Sequence, residues 1–141
     1  MTENPKNIVS IDAFLAQNVK PADNQEVKIK RFGAPFVIRA LSQDEISDLQ
    51  KQNTKRTTVK GVLQESTDTI AFSNAMVEAA LVQPDLNNAK LQTSYGTQGQ
   101  PIKTLKKMLL GGEFADLAQK VQELSGYEPE DLDSKSDDLK N

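Results

Sequence analysis

The sequence contains no cysteine, no histidine and no tryptophan. Without cysteine the chain forms no disulfide, offers no thiolate to a metal ion and has no cysteine nucleophile. Without histidine it also lacks the residue that serves most often as a general base or a metal ligand. We therefore expect no catalytic residue, no metal site and no other cofactor.

Long apolar runs are missing as well. The opening residues MTENPKNIVS lack the basic segment and apolar run of a signal peptide, and no stretch approaches the roughly 20 apolar residues that cross a bilayer. The net charge of −3 gives no general attraction to nucleic acid or anionic lipid. A chain of 141 residues holds one domain with a modest core. We expect a soluble intracellular protein that contacts no membrane.

The N-terminal third predicts a helix, a linker and a β-hairpin. Ser10 can cap a short amphipathic helix over residues 10–18, in which Ile11, Phe14 and Leu15 share a face. Residues 27–39 alternate like two half-buried strands around a turn at Gly-Ala-Pro, which indicates a hairpin. Since an isolated two-stranded hairpin is only marginally stable in water, this hairpin must pack on helices or on a partner's strands.

The stretch LSQDEI predicts the clearest helix start. Ser42 and Glu45 have the spacing of a capping box, in which each side chain accepts from the other residue's backbone N–H. A helix over residues 43–53 should follow. The next segment, NTKRTTVKG, is β-branched, basic and polar, and its pattern leaves loop and strand open.

The least polar segment, residues 68–81, predicts a central buried helix. Ile70, Val77 and Leu81 form its apolar stripe, and Asn74 lies on or beside that stripe. If Asn74 is buried, its side-chain amide needs a hydrogen-bond partner. We therefore expect a structural role for Asn74.

The C-terminal half predicts further short helices. Asp85 can cap a helical turn within residues 84–96, and Pro101 suits the first position of a second helix. Apolar side chains in residues 114–124 recur with the period of a third helix. Gly126 can end that helix in the left-handed conformation. Residues 127–141 are charged, acidic and poor in large apolar groups, so we predict a disordered tail.

The sequence LLGGEF, residues 109–114, has two interpretations. It resembles the loop of diguanylate cyclases, and a glycine-rich turn before a helix can hold a phosphate. It can equally be a corner, in which Gly111 and Gly112 end one helix with positive φ and Glu113 begins the next. Because the motif lies between two helical patterns and no metal-ligand motif accompanies it, we favour the corner.

Two basic clusters leave a nucleic-acid site as an alternative if they merge into one face. They are Lys28, Lys30, Arg31 and Arg39, and Lys51, Lys55, Arg56 and Lys60. Because the chain is acidic overall, we favour solvated or protein-binding faces. The elements together predict an α+β fold that is mostly α, a small helical domain with an N-terminal hairpin.

Three longer segments resemble a known family when they are taken in order. RFGAPFVIRALSQDE, QPDLNNAKLQTSYG and LKKMLLGGEFADLAQKVQELSG closely resemble the XkdN-like phage tail assembly chaperones of prophages and tailed phages of Gram-positive bacteria. The resemblance covers residues 26–126. Family members often have proline at the position of Gly111. On this resemblance we divide the chain into an N-terminal helix and linker (1–24), a chaperone domain (25–126) and an acidic tail (127–141).

The resemblance implies a non-catalytic protein that binds the tape measure protein and keeps it soluble until tail tube subunits assemble around it. In related systems a longer, frameshifted product recruits the tail tube protein. Such a chaperone works in the bacterial host cytoplasm and is absent from the mature virion. We expect Phe32 and Phe36 to anchor the partner, with plain core packing as the alternative for either residue. We also expect the open edge of the hairpin to favour a homo-oligomer. A tail completion or head–tail connector protein remains the rival function.

Overall fold

A computed structural model describes residues 10–127 of the protein. It confirms an α+β fold in which helices dominate over two small antiparallel sheets. Of the predicted acidic tail, only Tyr127 falls within this range, and residues 128–141 lie outside the described residues.

The predicted hairpin near the N-terminus is confirmed. β1 (Gln25–Val27) pairs antiparallel with β2 (Phe36–Ile38), and Val27 lies opposite Phe36. Both residues of this pair are buried because they point to the helices on one face of the sheet. Residues 28–35 form the loop between the strands. This loop contains Phe32, the first of the two residues expected to contact a partner.

The segment before the hairpin differs from the prediction. Residues 11–18 form two short 3-10 turns, Ile11–Phe14 and Ala16–Asn18, and not one amphipathic α-helix. Ser10 does cap the first turn, because its hydroxyl accepts from the backbone N–H of Asp12 at 3.2 Å. No residue of either turn is buried. An apolar face that packs on nothing in the described chain adds no tertiary stabilisation, and helices this short depend on such packing.

The capping box is present as predicted. The Ser42 hydroxyl accepts from the N–H of Glu45 at 3.2 Å, and the Glu45 carboxylate accepts from the N–H of Ser42 at 3.1 Å. Helix α1 (Gln43–Gln52) follows and buries Ile46.

The segment NTKRTTVKG, whose sequence pattern did not distinguish a loop from a strand, forms part of a second hairpin. Strands β3 (Thr54–Val59) and β4 (Val62–Thr67) pair in register around a turn in which Lys60 and Gly61 have φ of 52° and 78°. Positive φ at both turn residues matches the right-handed twist of a two-residue hairpin. We call this ribbon the β3–β4 arm.

Helix α2 (Thr69–Ala80) is close to its predicted bounds, but its buried face is shifted. Asp68 caps it by accepting from Ala71 at 3.0 Å. Its buried residues are Met76, Val77 and Ala80. The predicted stripe was wrong at its first member, since Ile70 is 72% exposed. Ile70 lies in the first turn, beside the arm, and no other element of the described chain covers it there. Asn74 is half-buried.

The end of the predicted central helix is a strand. β5 (Leu81–Gln83) pairs antiparallel with β2, and the sheet order becomes β1-β2-β5. Three residues are too few for a strand period to be recognised in the sequence. The third strand completes the hydrogen bonding of β2, so a partner's strand is not needed there.

The helices after β5 form the rest of the core. Helix α3 (Ala89–Ser94) is capped by Asn88, which accepts from Leu91 at 3.0 Å. The prediction that Asp85 caps it was wrong, because Asp85 accepts from Asn87 within the preceding turn. Helix α4 (Pro101–Met108) begins at its proline as predicted.

The LLGGEF segment is the predicted corner between two helices, but the glycines act differently. Gly111 and Gly112 are the first residues of α5 (Gly111–Leu124), and neither has positive φ. The chain turns instead at Leu109 and Leu110, whose ψ angles of 144° and 157° are extended. The predicted stop at Gly126 is confirmed, with φ of 101°.

One core joins the first sheet to α1, α2, α4 and α5. Its largest fully buried apolar side chains are Phe36, Ile38, Val77, Leu105, Leu117 and Val121. The β3–β4 arm contributes none of them.

Candidate partner-binding surface

The two phenylalanines expected to contact a partner lie together at the β1–β2 loop. Their rings meet edge to face, with centroids 5.1 Å apart and planes at 63°. Phe36 is only 2% exposed and belongs to the core, whereas Phe32 is half-buried and packs against that core from the loop. Phe36 therefore supports Phe32 from below, and Phe32 is the member of the pair that another molecule can contact.

An ion pair ties this loop to the start of α5. The Arg31 guanidinium donates through Nε to Oε2 of Glu113 at 3.0 Å, and its Nη2 donates to Oε1 of Glu113 and to the carbonyl of Met108 at 2.9 Å. A two-point contact between guanidinium and carboxylate restricts geometry more than a single hydrogen bond. The Arg31 guanidinium carbon also lies 5.3 Å from the ring centre of Phe32, in cation–π range.

The same carboxylate caps the helix. Glu113 accepts from the backbone N–H of Leu110 at 2.8 Å. Hydrogen bonding from Arg31 lowers the pKa of the Glu113 carboxyl, and the Leu110 N–H lowers this pKa further. The hydrogen bond to Glu113 also raises the pKa of the Arg31 guanidinium. Both groups therefore stay charged across the neutral range, and the contact persists there.

A shallow apolar groove of about 350 Å³ opens between the loop and the elements after β2. The loop forms one wall, β5 and the following proline form the floor, and α3 with the end of α4 forms the other wall. The lining residues are Phe32, Gly33, Ala34, Pro35, Phe36, Gln83, Pro84, Leu91, Tyr95 and Met108. The Gln83 side chain donates to the carbonyl of Pro35 at 2.7 Å and so fixes the loop to the floor.

A buried polar network holds the far wall in place. The Gln92 amide donates to the carbonyl of Leu86 at 2.8 Å and accepts from the N–H of Gly99 at 2.9 Å. The hydroxyls of Thr97 and Thr104 share a hydrogen bond of 2.5 Å. Buried polar groups that are fully paired make a segment rigid. These bonds therefore fix the position of α3, which carries the groove residues Leu91 and Tyr95.

The cyclase interpretation finds no support in the site geometry. Glu113, the acidic residue of LLGGEF, is occupied by Arg31 and by the helix terminus. Between residues 10 and 127 no group of three or more acidic side chains could hold a metal ion.

The arginines of the two basic clusters are all engaged in ion pairs. Each of the three arginines is paired with a glutamate: Arg31 with Glu113, Arg39 with Glu45 at 2.6 Å, and Arg56 with Glu65 at 2.9 Å. An arginine whose fork already holds a carboxylate is less available to a phosphate.

The sequence predicted Phe32 and Phe36 for this surface but missed its other walls. Gln83 and Pro84 appeared only as the end of a helix, and Leu91 and Tyr95 only as parts of a short turn. One signal was present: all four lie within QPDLNNAKLQTSYG, the second of the three resembling segments.

The family model of the phage XkdN-like tail assembly chaperone protein matches residues 11–140. The chain belongs to this family. Tail assembly chaperones are a non-catalytic kind of protein. The chaperone is 28% identical over 150 aligned positions to the phage-like element PBSX protein XkdN of Bacillus subtilis (strain 168), with all of both chains covered. It is also 28% identical to the uncharacterized protein YqbN of that organism over 145 positions, with 96% of each chain covered.

A solved structure has the same fold. The crystal structure of the protein YqbN superposes with a TM-score of 0.72 at 25% identity, and the match covers 86% of the chaperone and all of that chain. Within the part of the chaperone that the structure describes, no helix is both long and apolar enough to span a membrane.

Proposed function

We propose that this chaperone binds the tape measure protein of its phage and keeps it soluble during tail morphogenesis. The family match over residues 11–140 carries the proposal. A tape measure protein is long and largely helical and exposes apolar stripes before the tube surrounds it. Its chaperone therefore needs a moderately apolar contact that can be released.

The groove beside the β1–β2 loop has the properties of such a contact. It is apolar, open, and bounded by a loop that Arg31 and Gln83 hold from two sides. A volume of about 350 Å³ accommodates a few side chains of one helical stripe, as in helix-in-groove recognition. Phe32 is the anchor, because a half-buried aromatic side chain on a rigid support keeps an accessible apolar face, and such aromatic side chains contribute disproportionately to interfaces. Phe36 acts by holding Phe32 in place.

Co-expression with the tape measure protein of the same phage or prophage tests the function. The expected result is a soluble complex that co-elutes on size exclusion, with several copies of the chaperone per partner chain. If the tape measure protein stays insoluble and no complex elutes, the proposed function is wrong.

The contact surface needs a separate set of variants. Phe32→Ala should weaken the complex, and Tyr95→Ala on the opposite wall should do the same. Ile70→Ala is the matched control, because it removes an exposed apolar side chain away from the groove. Circular dichroism establishes that each variant is folded. A complex that survives both groove substitutions contradicts the choice of surface and leaves the function standing.

We further propose that copies of the chaperone associate along one partner chain. β2 is flanked on both sides, so among the described residues the open edges of this sheet belong to β1 and β5. Unpaired strand edges are ready surfaces for another strand. Sedimentation velocity over a range of concentrations tests this association, and a single monomeric species at every concentration contradicts it. A longer frameshifted product, where one is made, would recruit the tail tube protein.

We further propose that the chaperone acts in the bacterial host cytoplasm, has no catalytic activity and is absent from the mature virion. Mass spectrometry of purified particles separates it from a tail completion or head–tail connector protein, which would be found in the particle. A gel shift at low and moderate salt tests the nucleic-acid alternative, for which salt-sensitive binding is the positive result.

A further inference from the structure

The segments that line the groove beside the β1–β2 loop are basic, although the chain as a whole is acidic. Every lining residue comes from residues 28–36, 83–95 or 101–109. These three segments contain seven lysine and arginine side chains and a single carboxylate, that of Asp85, whereas the whole chain has 17 basic and 20 acidic residues. The excess of positive charge is therefore a local property of this surface.

This positive charge is available to another molecule. The ion pairs within residues 10–127 use three arginines and Lys120, so no carboxylate of that range neutralises the lysines of the three segments. Asp85 accepts from the N–H of Asn87 at 3.0 Å, within its own turn. All the lysines of the three segments are exposed: Lys28 and Lys30 on the loop, Lys90 on α3, and Lys103, Lys106 and Lys107 on α4.

A second apolar hollow, of about 280 Å³, lies against the same loop. Lys28, Ile29 and Lys30 line it together with residues 32–35, which also line the groove. The loop is therefore a shared wall between two apolar depressions, and two lysines border the second of them. An elongated partner that crosses the loop contacts apolar surface on both sides of it and passes these lysines.

The charge of this surface decides which helices it favours. A helix with only an apolar stripe gains the burial of that stripe, whereas carboxylates beside the stripe also gain attraction to the lysines. Basic residues in the same positions are repelled, which disfavours such helices. A lysine ammonium moves on a flexible stem, so it can reach carboxylates along the rim without one fixed geometry. The surface therefore fits an amphipathic helix with acidic flanks.

Nucleic acid fits this surface less well. A phosphate backbone gains most from a continuous cationic face, and here apolar depressions lie between the lysines. The arginine of the loop, Arg31, already donates to Glu113 at two points. The net charge of −3 adds a general repulsion of polyanions.

We propose that the groove selects an acidic amphipathic helix. The apolar stripe of this helix packs against Phe32 and fills the groove, and the carboxylates beside the stripe meet Lys28 and Lys30 on the loop and Lys90 on α3. Under the proposed function, on which this selectivity rests, the occupant is a stripe of the tape measure protein that carries carboxylates along its borders. Exposed ion pairs are individually weak and are screened by salt, so such a contact stays reversible.

Three designed helical peptides test this selectivity with the full-length chaperone. All share one leucine stripe over roughly 20 residues, about 30 Å of helix, and differ only in the flanking residues, which are glutamate, glutamine or lysine. Fluorescence anisotropy measures binding at low salt. The glutamate peptide should bind about 5-fold to 10-fold more tightly than the glutamine peptide, and the lysine peptide more weakly than both. This advantage should shrink at about 0.5 M NaCl, where the Debye length is only a few ångströms.

Lysine variants separate a local contact from a general effect of net charge. The double variant Lys28→Gln, Lys30→Gln should lose most of the preference for the glutamate peptide and keep its affinity for the glutamine peptide. The matched control is Lys51→Gln, Lys55→Gln, which removes two exposed lysines on α1 and β3, outside the groove, and changes the net charge by the same amount. This control should bind all three peptides like the parent, and circular dichroism establishes that both variants are folded.

Equal affinity for the glutamate and glutamine peptides contradicts the proposal, and so does a preference that both double variants lose to the same extent. A short DNA duplex is titrated in parallel. Duplex binding that depends on Lys28 and Lys30, without a peptide preference, would assign the surface to nucleic acid instead.

The peptides report on selectivity without the tape measure protein, so the two proposals fail separately. A chaperone that forms a complex with the tape measure protein but shows no peptide preference disproves only the selectivity. A peptide preference without any tape measure complex disproves only the proposed function.

Discussion

Arg31 and Glu113, 82 positions apart in the sequence, hold the β1–β2 loop against the first turn of α5 through a two-point contact. We predict that Glu113→Gln loosens this loop while the helix remains capped, since glutamine at this position can still accept from the N–H of Leu110. Hydrogen exchange should become faster at residues 28–35, with little change in the melting temperature. Asp116→Asn is the control: it breaks an exposed ion pair with Lys120 on the same helix and should leave exchange in the loop unaltered. Equal exchange in Glu113→Gln and the parent would mean that the ion pair does not position the loop.

The acid sensitivity of the chaperone should depend on the contact between Arg39 and Glu45. Hydrogen bonding from Arg39, followed by the backbone N–H of Ser42, lowers the pKa of Glu45 from 4.5 to about 2. Because the folded state has the lower pKa, the stabilisation is present above about pH 4.5 and is lost as the pH falls toward 2. Glu45→Gln keeps the capping box and should therefore flatten the decrease in the free energy of unfolding between these pH values.

Arg39→Met provides an independent check of the cause. It removes the largest contribution to the lowered pKa of Glu45 and should flatten the same part of the pH profile. Denaturant melts at a series of pH values measure both variants. A Glu45→Gln variant that is as acid-sensitive as the parent would assign the effect to other groups.

The core positions predict a clear difference in stability. Leu117→Ala and Val77→Ala remove side chains that are fully buried, so each should lower the free energy of unfolding by about 1–5 kcal/mol. Ile70→Ala should cost less than about 0.5 kcal/mol, because Ile70 is mostly exposed. Urea melts of the three variants test this order. Losses below about 0.5 kcal/mol at both core sites would contradict the assigned packing.

The turn of the β3–β4 arm should be sensitive to its glycine. Gly61 has φ of 78°, a conformation that costs an L-residue roughly 1–2 kcal/mol. Gly61→Ala should therefore increase local opening of the arm by roughly 5-fold to 30-fold, seen as faster exchange of the β3 and β4 amides. Gly33→Ala is the matched control, since Gly33 lies in open space without positive φ. A Gly61→Ala arm with parental exchange would show that the turn adopts another conformation in solution.

Local signals in the sequence were sufficient for several elements of this fold. The capping box at Ser42, the proline that begins α4, the glycine that ends α5 and the hairpin around the β1–β2 loop depend on residues within a few positions of one another. Such features need only a side chain and nearby backbone groups, so the pattern of residue types predicts them. The family was likewise visible in three segments of the sequence taken in order.

The tertiary structure decided the features that depend on distant partners. β5 is a strand because β2 offers it an edge, although its residues continue the pattern of α2. Phe36 is buried and Phe32 half-buried because of what packs over each ring, which the sequence does not encode locally. The loop wall of the groove is held by the contacts of Arg31 with Glu113 and of Gln83 with Pro35, which join elements far apart in the chain. Burial and long-range pairing are set by the whole packed molecule, and only the folded chain shows them.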